Sequence, residues 1–296
     1  MKKKTEAGML VSKKYRKRSR FGGILHRIKQ NSGALAALII LAILFIILVV
    51  SLFISFEAVT ESNIKARFSP PSLEFPFGTD NMGRNSFLRV IYGTRYSMAI
   101  GFGAVGFAVI IGVVLGSFAG YYGGRVEFFI MRITDVLSSI PGVLLGMVIM
   151  TVLGQSLQNL IIAVGVTSIA NFVRMTRASI LTVREQEFVE AARAIGLPNL
   201  RIIFTQVLPN GLSPVIVTTT GSLGVAIIIA ASLSYIGFGI PVPHPEWGAL
   251  ISTGRDFARS SPHIMIFPGL FIMMTVLAFN LLGDGLRDAL DPKLKR

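Results

Sequence analysis

The sequence predicts an all-α, polytopic membrane protein with six transmembrane helices. Hydrophobic residues make up 52% of the 296 positions and charged residues only 15%, against about 25% charged residues in soluble domains. The mean hydropathy is +0.66. A chain this apolar lacks the polar surface that a water-soluble fold needs, and its apolar residues fall into separate long segments.

The apolar segments have the length of membrane spans, because roughly 20 helical residues cross a bilayer core about 30 Å thick. Six stretches of 17 to 25 residues contain no Asp, Glu, Lys, Arg or His. They are residues 33–56, 98–118, 136–153, 157–173, 214–238 and 264–282. The stretch 157–173 contains the amide side chains Gln158, Asn159 and Asn171, so five spans without it is the alternative. The first run is too long for a signal peptide, and we interpret it as an uncleaved span.

The distribution of positive charge predicts the orientation. The formal net charge is +14, and 11 of the 29 Lys and Arg residues lie between Lys2 and Lys29. With six spans, the side that holds both termini carries 22 of them and the opposite side carries 7. The positive-inside rule therefore places both termini in the cytoplasm and the chain in the cell (inner or plasma) membrane. The basic tail is expected to contact anionic lipid and not nucleic acid.

These spans divide the chain into five parts. The expected parts are a basic cytoplasmic tail (1–32), a first transmembrane helix (33–56), an extracytoplasmic loop (57–97), a five-helix core (98–284) and a cytoplasmic C-terminal tail (285–296). Within the core, residues 185–210 form a cytoplasmic loop.

Several kinds of chemistry are missing from the sequence. There is no cysteine and no Gly-Lys pair, so the chain has neither thiolate chemistry nor the usual phosphate-binding loop for ATP. No catalytic Ser/His/Asp set, carboxylate pair or metal motif has a usable spacing. We therefore expect a non-catalytic chain without a cofactor, and any active transport must take its energy from a partner. The charge-free spans also disfavour an ion-coupled carrier.

Small and hydroxyl residues mark two of the spans. Gly112 and Gly116 form a GxxxG pair, which predicts close helix packing within the chain or, alternatively, a dimer seam. The fifth span is rich in hydroxyl groups, which suit either a translocation pathway or bundle packing. The candidate pathway-lining residues are Thr219, Thr220, Ser222, Ser232 and Ser234.

The cytoplasmic loop predicts two short amphipathic helices. Phe188, Ala191, Ala192 and Ile195 follow the spacing i, i+3, i+4, i+7, and a second helix repeats it with Leu200, Ile203, Phe204 and Val207. Gly196 stands where a left-handed residue ends a helix, and Pro198 follows it. Asn199 is the expected cap of the second helix, and Pro209 its expected end.

The residues alone leave two interpretations of this loop open. The hairpin either lies on the lipid surface or on its own bundle, or it docks into a cleft of a soluble partner.

Sequence motifs in this loop resemble a known family. Glu190-Ala191-Ala192, followed by Gly196 and Leu208-Pro209, is similar to the EAA loop of ABC importer permeases. Further stretches resemble the C-type permease of the dipeptide/oligopeptide/nickel subgroup. They are residues 77–80 (FGTD), 83–84 (GR), 92–95 (YGTR), 245–248 (PEWG), 280–288 (NLLGDGLRD) and 291–292 (DP).

The resemblance implies a permease of the ABC type I importer fold, forming half of a translocation pathway for dipeptides or oligopeptides. It implies as partners a homologous permease in a heterodimer, an extracytoplasmic substrate-binding protein and two cytoplasmic ATPases, which bind the ATP and magnesium. A nickel or metallophore importer of the same architecture is the alternative. The implied ATPase-coupling residues are Phe188, Glu190, Ala191, Ala192, Ile195, Gly196, Leu200, Phe204, Leu208 and Pro209.

The outer segments contain further candidates. Glu246 and Trp247 are expected either at an external gate or in contact with the binding protein, with a membrane-surface anchor as the alternative for Trp247. Asp80, Arg84 and Arg95 are expected to be solvated or to contact the binding protein. His244 is expected to be a loop residue and not a metal ligand.

Overall fold

The computed structural model describes residues 31–290, which are α-helical and contain no β-strand. The basic tail before residue 31 and the last six residues lie outside the described range. The α-helices are α1 (Ser32–Ser51), α2 (Phe56–Thr60), α3 (Ser86–Tyr122), α4 (Gly124–Ser139), α5 (Gly142–Leu153), α6 (Leu157–Arg184), α7 (Glu187–Ala194), α8 (Asn199–Ile202), α9 (Leu208–Tyr235), α10 (Trp247–Gly254) and α11 (His263–Leu290). Between α8 and α9, Ile203–Val207 forms a π-helical turn.

The predicted spans are present as five long helices and one bent pair. The five are α1, α3, α6, the continuous stretch Asn199–Tyr235 and α11. The bent pair is α4 with α5. The expectation of six spans, or five as the alternative, is confirmed. However, the questionable span is 136–153, whereas 157–173 lies in a regular helix of 28 residues.

The segment 136–153 is not one continuous helix, and this part of the prediction was wrong. Its first residues end α4, and its remainder forms α5, with an angle of 94° between the two helices. Pro141 causes the break, because the residue before a proline is driven out of the helical region, and Ile140 is extended (φ −97°, ψ 126°). The 12 residues of α5 span about 18 Å, too short to cross a bilayer alone.

The predicted end of the second hairpin helix at Pro209 was also wrong. Pro209 is the second residue of α9, and the backbone runs through it as part of the continuous helical stretch Asn199–Tyr235. The π-helical turn Ile203–Val207 precedes it and widens the backbone where the proline ring would otherwise clash. The hairpin therefore continues directly into the fifth span without a flexible joint.

Helices also extend beyond the predicted loop boundaries. The expected outer loop 57–97 contains α2 and the first three turns of α3, which is 37 residues long. Charged residues such as Arg89 and Arg95 therefore lie in helix and not in loop. At the other terminus, α1 packs on α11, where Ala34 contacts Gly285 and the Asn31 amide donates to Asp288.

The most extensive helix contact joins α3 to α6, and glycines make it possible. Gly112, Gly116 and Gly120 face Phe172, Thr176 and Ile180 one turn after another, and we call this contact the glycine seam. A methyl group at these glycines would lie 2.3, 2.6 and 2.8 Å from the opposing Cβ atoms. The GxxxG pair thus serves packing within the chain, as one of the two interpretations predicted.

The seam gives a test of stability. We expect Gly116→Ala to destabilise the protein by about 1–3 kcal/mol, because the added methyl group overlaps Thr176 and the Val173 carbonyl oxygen. Gly106→Ala on the same helix is the matched control, since no atom lies within 4 Å of its added methyl group. Thermal unfolding in detergent measures both. Equal unfolding temperatures for the two variants would contradict the claim that close packing at the glycine seam stabilises the protein.

Candidate functional site

The bundle has two ends with different structures. At one end, Tyr121 and Ile180 pack against residues 187–207, which we call the hairpin. At the other, Val90 meets Trp247, and we call this the cap end. These two ends contain the candidate functional residues.

The turn of the hairpin is built on Gly196. Its φ is +79°, a left-handed conformation that other residues adopt at a cost. The Gly196 N–H donates to the Arg193 carbonyl (2.9 Å) and the Leu197 N–H to the Ala192 carbonyl (3.2 Å). This pattern closes the C-terminus of α7 in the manner of a Schellman motif. The predicted left-handed glycine is confirmed.

Asn199 does not cap the second helix, contrary to the prediction. Pro198 occupies the cap position, and Asn199 is the first residue of α8. The Asn199 side chain instead accepts a hydrogen bond from the Tyr121 hydroxyl (3.0 Å). This bond links the hairpin to the last turn of α3.

The inner face of the hairpin is an apolar cluster shared with the bundle. From the hairpin it contains Val189, Ala192, Ile202, Ile203 and Val207, all buried, and Leu208 packs against it. From the bundle it contains Tyr121, Ile180 and Val183. Because α3 and α6 both contribute, the hairpin is attached to the two helices of the glycine seam. Ala192, predicted to contact a partner, contacts its own chain.

Charged side chains reinforce this attachment. Arg184 donates through Nη1 to the carbonyl oxygens of Gly120 (2.8 Å) and Tyr121 (3.3 Å), where α3 ends. A cation at a helix C-terminus is favoured by the exposed carbonyls and the helix dipole. The Arg193 guanidinium lies 5.3 Å from the centre of the Tyr121 ring, a cation–π distance.

The outer face of the hairpin is exposed and apolar. Ile195 is 77% exposed and Leu200 is 54% exposed, and both flank the Gly196 turn. The exposed residues among those predicted for coupling are Phe188, Glu190, Ala191, Ile195, Gly196, Leu200, Phe204 and Pro209. We call Phe188, Ala191, Ile195, Leu200 and Phe204 the apolar ridge. Among residues 31–290, the exposed Glu190 carboxylate has no ion-pair partner.

The hydroxyl residues of the fifth span have different surroundings. Thr219 and Ser232 are partly exposed, and each donates to a carbonyl of its own helix. Thr220 is partly exposed and faces Gly283 of α11, whereas Ser234 is buried beside Gly239 and is not on an open surface. Ser222 is partly exposed. The hydroxyls therefore do not form one continuous pathway lining within this chain.

At the cap end, Glu246 and Trp247 are buried, with exposures of 2% and 0%. The Glu246 carboxylate caps α10, accepting from the N–H groups of Gly248 (2.8 Å) and Ala249 (2.9 Å). The Trp247 indole donates to the Val90 carbonyl (3.0 Å). In this conformation neither side chain has a surface for an external protein or for the membrane interface, so both expectations of direct contact were wrong. The pair instead joins α10 to α3.

The prediction of solvated or binding-protein contacts for the charged outer residues was also wrong. Asp80 and Arg84 are buried and form an ion pair (2.6 Å), and Arg89, which the prediction missed, lies 3.6 Å from the same carboxylate. Arg95 stacks on the Tyr92 ring (4.0 Å) and donates to the Ile54 carbonyl (2.9 Å). Sequence position near a span end suggested exposure, but Asp80 pairs with arginines of the same outer segment, and the partly exposed Arg95 reaches the Ile54 carbonyl after α1.

The histidines at this end have polar partners in the protein. His244 Nδ1 lies 2.9 Å from the Tyr96 hydroxyl, and His263 Nε2 lies 3.1 Å from the Thr79 carbonyl oxygen. Among residues 31–290, no group of three or more His, Asp or Glu side chains is placed to hold a metal ion.

A bundle of membrane-spanning helices that carries a fixed hairpin with an exposed apolar ridge is a membrane transport permease in its architecture. Comparison with known proteins agrees. The dipeptide transport system permease protein of Alkalihalophilus pseudofirmus is 44% identical over 269 residues, covering 91% of this chain and 88% of the relative. The glutathione transport system permease protein of Pectobacterium atrosepticum is 40% identical over 268 residues, covering 90% and 89%.

The family follows from a match over most of the chain. The family model described as binding-protein-dependent transport system inner membrane component matches residues 112–296. The chain belongs to this family. The inward-facing MetNI methionine ABC transporter shares the fold, with a TM-score of 0.56 at 19% identity, covering 69% of this chain and 97% of that one.

The Gly196 turn gives a test of coupling. We expect Gly196→Ala and Gly196→Leu to insert into the membrane normally but to lose the coupling of ATP hydrolysis to uptake. A Cβ at φ +79° costs about 1 kcal/mol and redirects α8, although nothing lies within 4 Å of it. Gly196→Asn is the control, because asparagine tolerates this conformation better. Substrate-stimulated ATP hydrolysis and uptake that are normal in Gly196→Leu would contradict the role of the turn.

Proposed function

We propose that this chain is one of two permease subunits of an ATP-driven peptide importer, and that its hairpin docks into an ATPase subunit. The observation that carries the proposal is the two-faced hairpin. Its inner face is fixed to α3 and α6, whereas its apolar ridge is exposed, with the Phe204 ring also lying edge-on to Phe118 of α3 (6.3 Å between ring centres). A ridge facing lipid would be redundant beside five long apolar helices, and a ridge in water would be unfavourable.

The mechanism is rigid transmission. ATP binding closes the two ATPases, which moves the two hairpins seated in their clefts. Because Asn199–Tyr235 is one continuous helix, a movement of the hairpin rotates or shifts the fifth span as a unit. The inner cluster carries the same movement to α3 and α6. The chain itself performs no catalysis, and ATP with magnesium binds to the ATPases.

We propose that the second permease packs against the exposed face of α9 and α11. A shallow, mostly apolar depression lies on this side, lined by Ile228, Ala231, Ser232, Tyr235, Ile236, Ile251 and Ile272. Ser232 contributes a hydroxyl group in this apolar setting. Ser232, with the partly exposed Thr219 and Ser222, is therefore our remaining pathway candidate.

Peptides are the proposed substrates because the similar proteins named above are dipeptide and glutathione permeases. A nickel or metallophore importer stays the alternative within the same architecture. A binding protein outside the membrane would deliver the substrate to the cap end. An ion-coupled carrier lacks support, since the apolar centres of the spans contain no ionisable residue.

The docking proposal is tested by introducing a negative charge into the apolar ridge. We expect Ile195→Glu and Leu200→Glu to lower recovery of the ATPase subunits about tenfold in a detergent pull-down, because a buried apolar contact of this kind is worth roughly 1–3 kcal/mol. Thr182→Glu is the matched control, since it adds the same charge at an exposed position of α6 outside the hairpin. Undiminished recovery with both ridge variants would refute the docking.

The variants Ala192→Glu and Glu190→Ala distinguish the contribution of the inner face of the hairpin from that of its outer face. Ala192→Glu places a carboxylate in the inner cluster, so it should loosen the hairpin and lower the unfolding temperature as well as ATPase recovery. Glu190→Ala removes an exposed carboxylate that we propose pairs with a basic group of the ATPase. It should weaken recovery without changing the unfolding temperature.

The proposed topology has both termini and the hairpin in the cytoplasm. The chain contains no cysteine, so single cysteines report position without background. Thr5→Cys and Pro292→Cys should resist an impermeant maleimide added to intact cells. Leu73→Cys should react, because this residue is fully exposed in the outer segment before α3. Labelling of either terminus under conditions that leave Leu73→Cys unlabelled would show that the orientation is opposite to the proposed one.

A further inference from the structure

A cavity of about 150 Å³ lies at the cap end, between the start of α3, the loop after α9 and α10. Backbone of the loop 237–242 forms one wall. The cavity is lined by six side chains that can hydrogen-bond: Arg89, Gln155, Ser234, His244, Ser252 and Thr253. Nothing in the coupling mechanism above uses these residues.

Arg89 brings a positive charge to this cavity. Its side chain is 2% exposed, Nη1 donates to the Val59 carbonyl (2.8 Å), and Nε has no hydrogen-bond partner. The Asp80 carboxylate lies 3.6 Å from Nε, too far for a hydrogen bond, and it is already bonded to the Arg84 side chain and to the N–H groups of Met82 and Arg84. The cluster of Asp80, Arg84 and Arg89 therefore has a net charge of +1.

The other nearby carboxylate does not neutralise Arg89. Both oxygens of Glu246 accept bonds from the start of α10, and Ser97 donates to one of them (3.3 Å). No ion pair joins Glu246 and Arg89 in the described part of the chain.

Ser234 supplies a second donor without a partner. It is 4% exposed, its hydroxyl makes no hydrogen bond within residues 31–290, and it lines the same cavity as Arg89. A buried donor without an acceptor is unfavourable by about 1–3 kcal/mol, more when it is charged. Arg89 and Ser234 both line this cavity, and each carries a donor atom without a hydrogen-bond partner, so the pair is chemically complementary to an oxyanion.

We propose that this cavity binds a carboxylate through the Arg89 guanidinium and the Ser234 hydroxyl, and that the carboxylate belongs to the transported solute. The second half of this inference rests on the proposed function. The volume suits a carboxylate group and the few atoms attached to it, not a whole peptide. The site therefore holds one end of the solute at the cap end, while the rest lies outside the cavity.

The first experiment measures carboxylate binding without substrate. Acetate is titrated against chloride at constant ionic strength into the purified permease–ATPase complex, and thermal unfolding is followed. Acetate should raise the unfolding temperature of the wild type in a saturable way. Ser234→Ala should weaken the acetate midpoint about tenfold, because a hydrogen bond to a charged group is lost. It should fold normally, since this hydroxyl has no partner to lose.

Two further variants sharpen this experiment. Arg89→Gln should abolish the acetate effect. Ser139→Ala, which removes an exposed hydroxyl bonded to its own helix, should leave the acetate midpoint unchanged. Two results would overturn the carboxylate site. One is the same acetate midpoint in the wild type and Ser234→Ala, and the other is a rise in unfolding temperature with chloride equal to that with acetate.

The second experiment identifies the source of the carboxylate. Uptake of a dipeptide and of its C-terminal amide is measured in the reconstituted complex with its binding protein, for the wild type and Ser234→Ala. Comparing variant with wild type for each substrate cancels the selectivity of the binding protein. Ser234→Ala should lower kcat/KM about tenfold for the free dipeptide and leave the amide unaffected.

The outcomes separate the two proposals. Equal losses for dipeptide and amide would overturn the solute as source of the carboxylate while leaving peptide import intact. If the wild type takes up no peptide although acetate binds through Arg89, the proposed peptide import fails, and the solute's part in the site fails with it.

Discussion

The glycine seam between α3 and α6 is the constraint on which the rest of the molecule depends. Gly112, Gly116 and Gly120 bring the two helix backbones into direct contact, which side chains of any size would prevent. Each end of α3 then contributes residues to one of the two candidate functional regions, the hairpin end and the cap end. Tyr121 contributes to the hairpin cluster, and the first turns supply Arg89 and the Val90 carbonyl at the cap end. Both ends belong to one helix of 37 residues, so they form parts of one stiff body.

The hairpin shows how a small segment can have two functions. Its inner side chains pack against the bundle, and its outer side chains are exposed, where we propose that an ATPase subunit binds. Because the inner face is fixed to the bundle, a displacement of the outer face is transmitted to the bundle. A loosely attached hairpin would move without displacing the helices. The hydrogen bond from Tyr121 to Asn199, the Arg184 contacts to the end of α3 and the π-helical turn all remove flexibility from the same region.

The helices could be predicted because their causes are local. Apolar length predicted the spans, and the spacing of Phe188, Ala191 and Ile195 with a following glycine predicted α7 and its end. The errors at Pro141 and Pro209 arose because a proline breaks one helix and fits the first turn of another, depending on its neighbours. The π-helical turn that decides the second case has no simple sequence pattern.

Burial of charge was the least predictable property. Asp80 and Arg84 were expected in water or in contact with a binding protein, Glu246 at an external gate or in the same contact, and Arg89 was not considered. The structure buries all four: Asp80 pairs with Arg84 four residues on, Glu246 accepts from backbone N–H groups, and Arg89 bonds to the Val59 carbonyl thirty residues away. Periodicity contains no information on such contacts. Unpaired donors facing one cavity could be found only once the segments were placed together.

The link between α3 and Trp247 also determines the order in which the protein is completed. The Val90 carbonyl and the Ser97 hydroxyl leave the ribosome 157 and 150 residues before the indole and backbone N–H that they bind. Until α9 and the loop after it have been synthesised, the start of α3 has no cap. This end of the bundle is therefore covered only late in synthesis, after translation has passed residue 247.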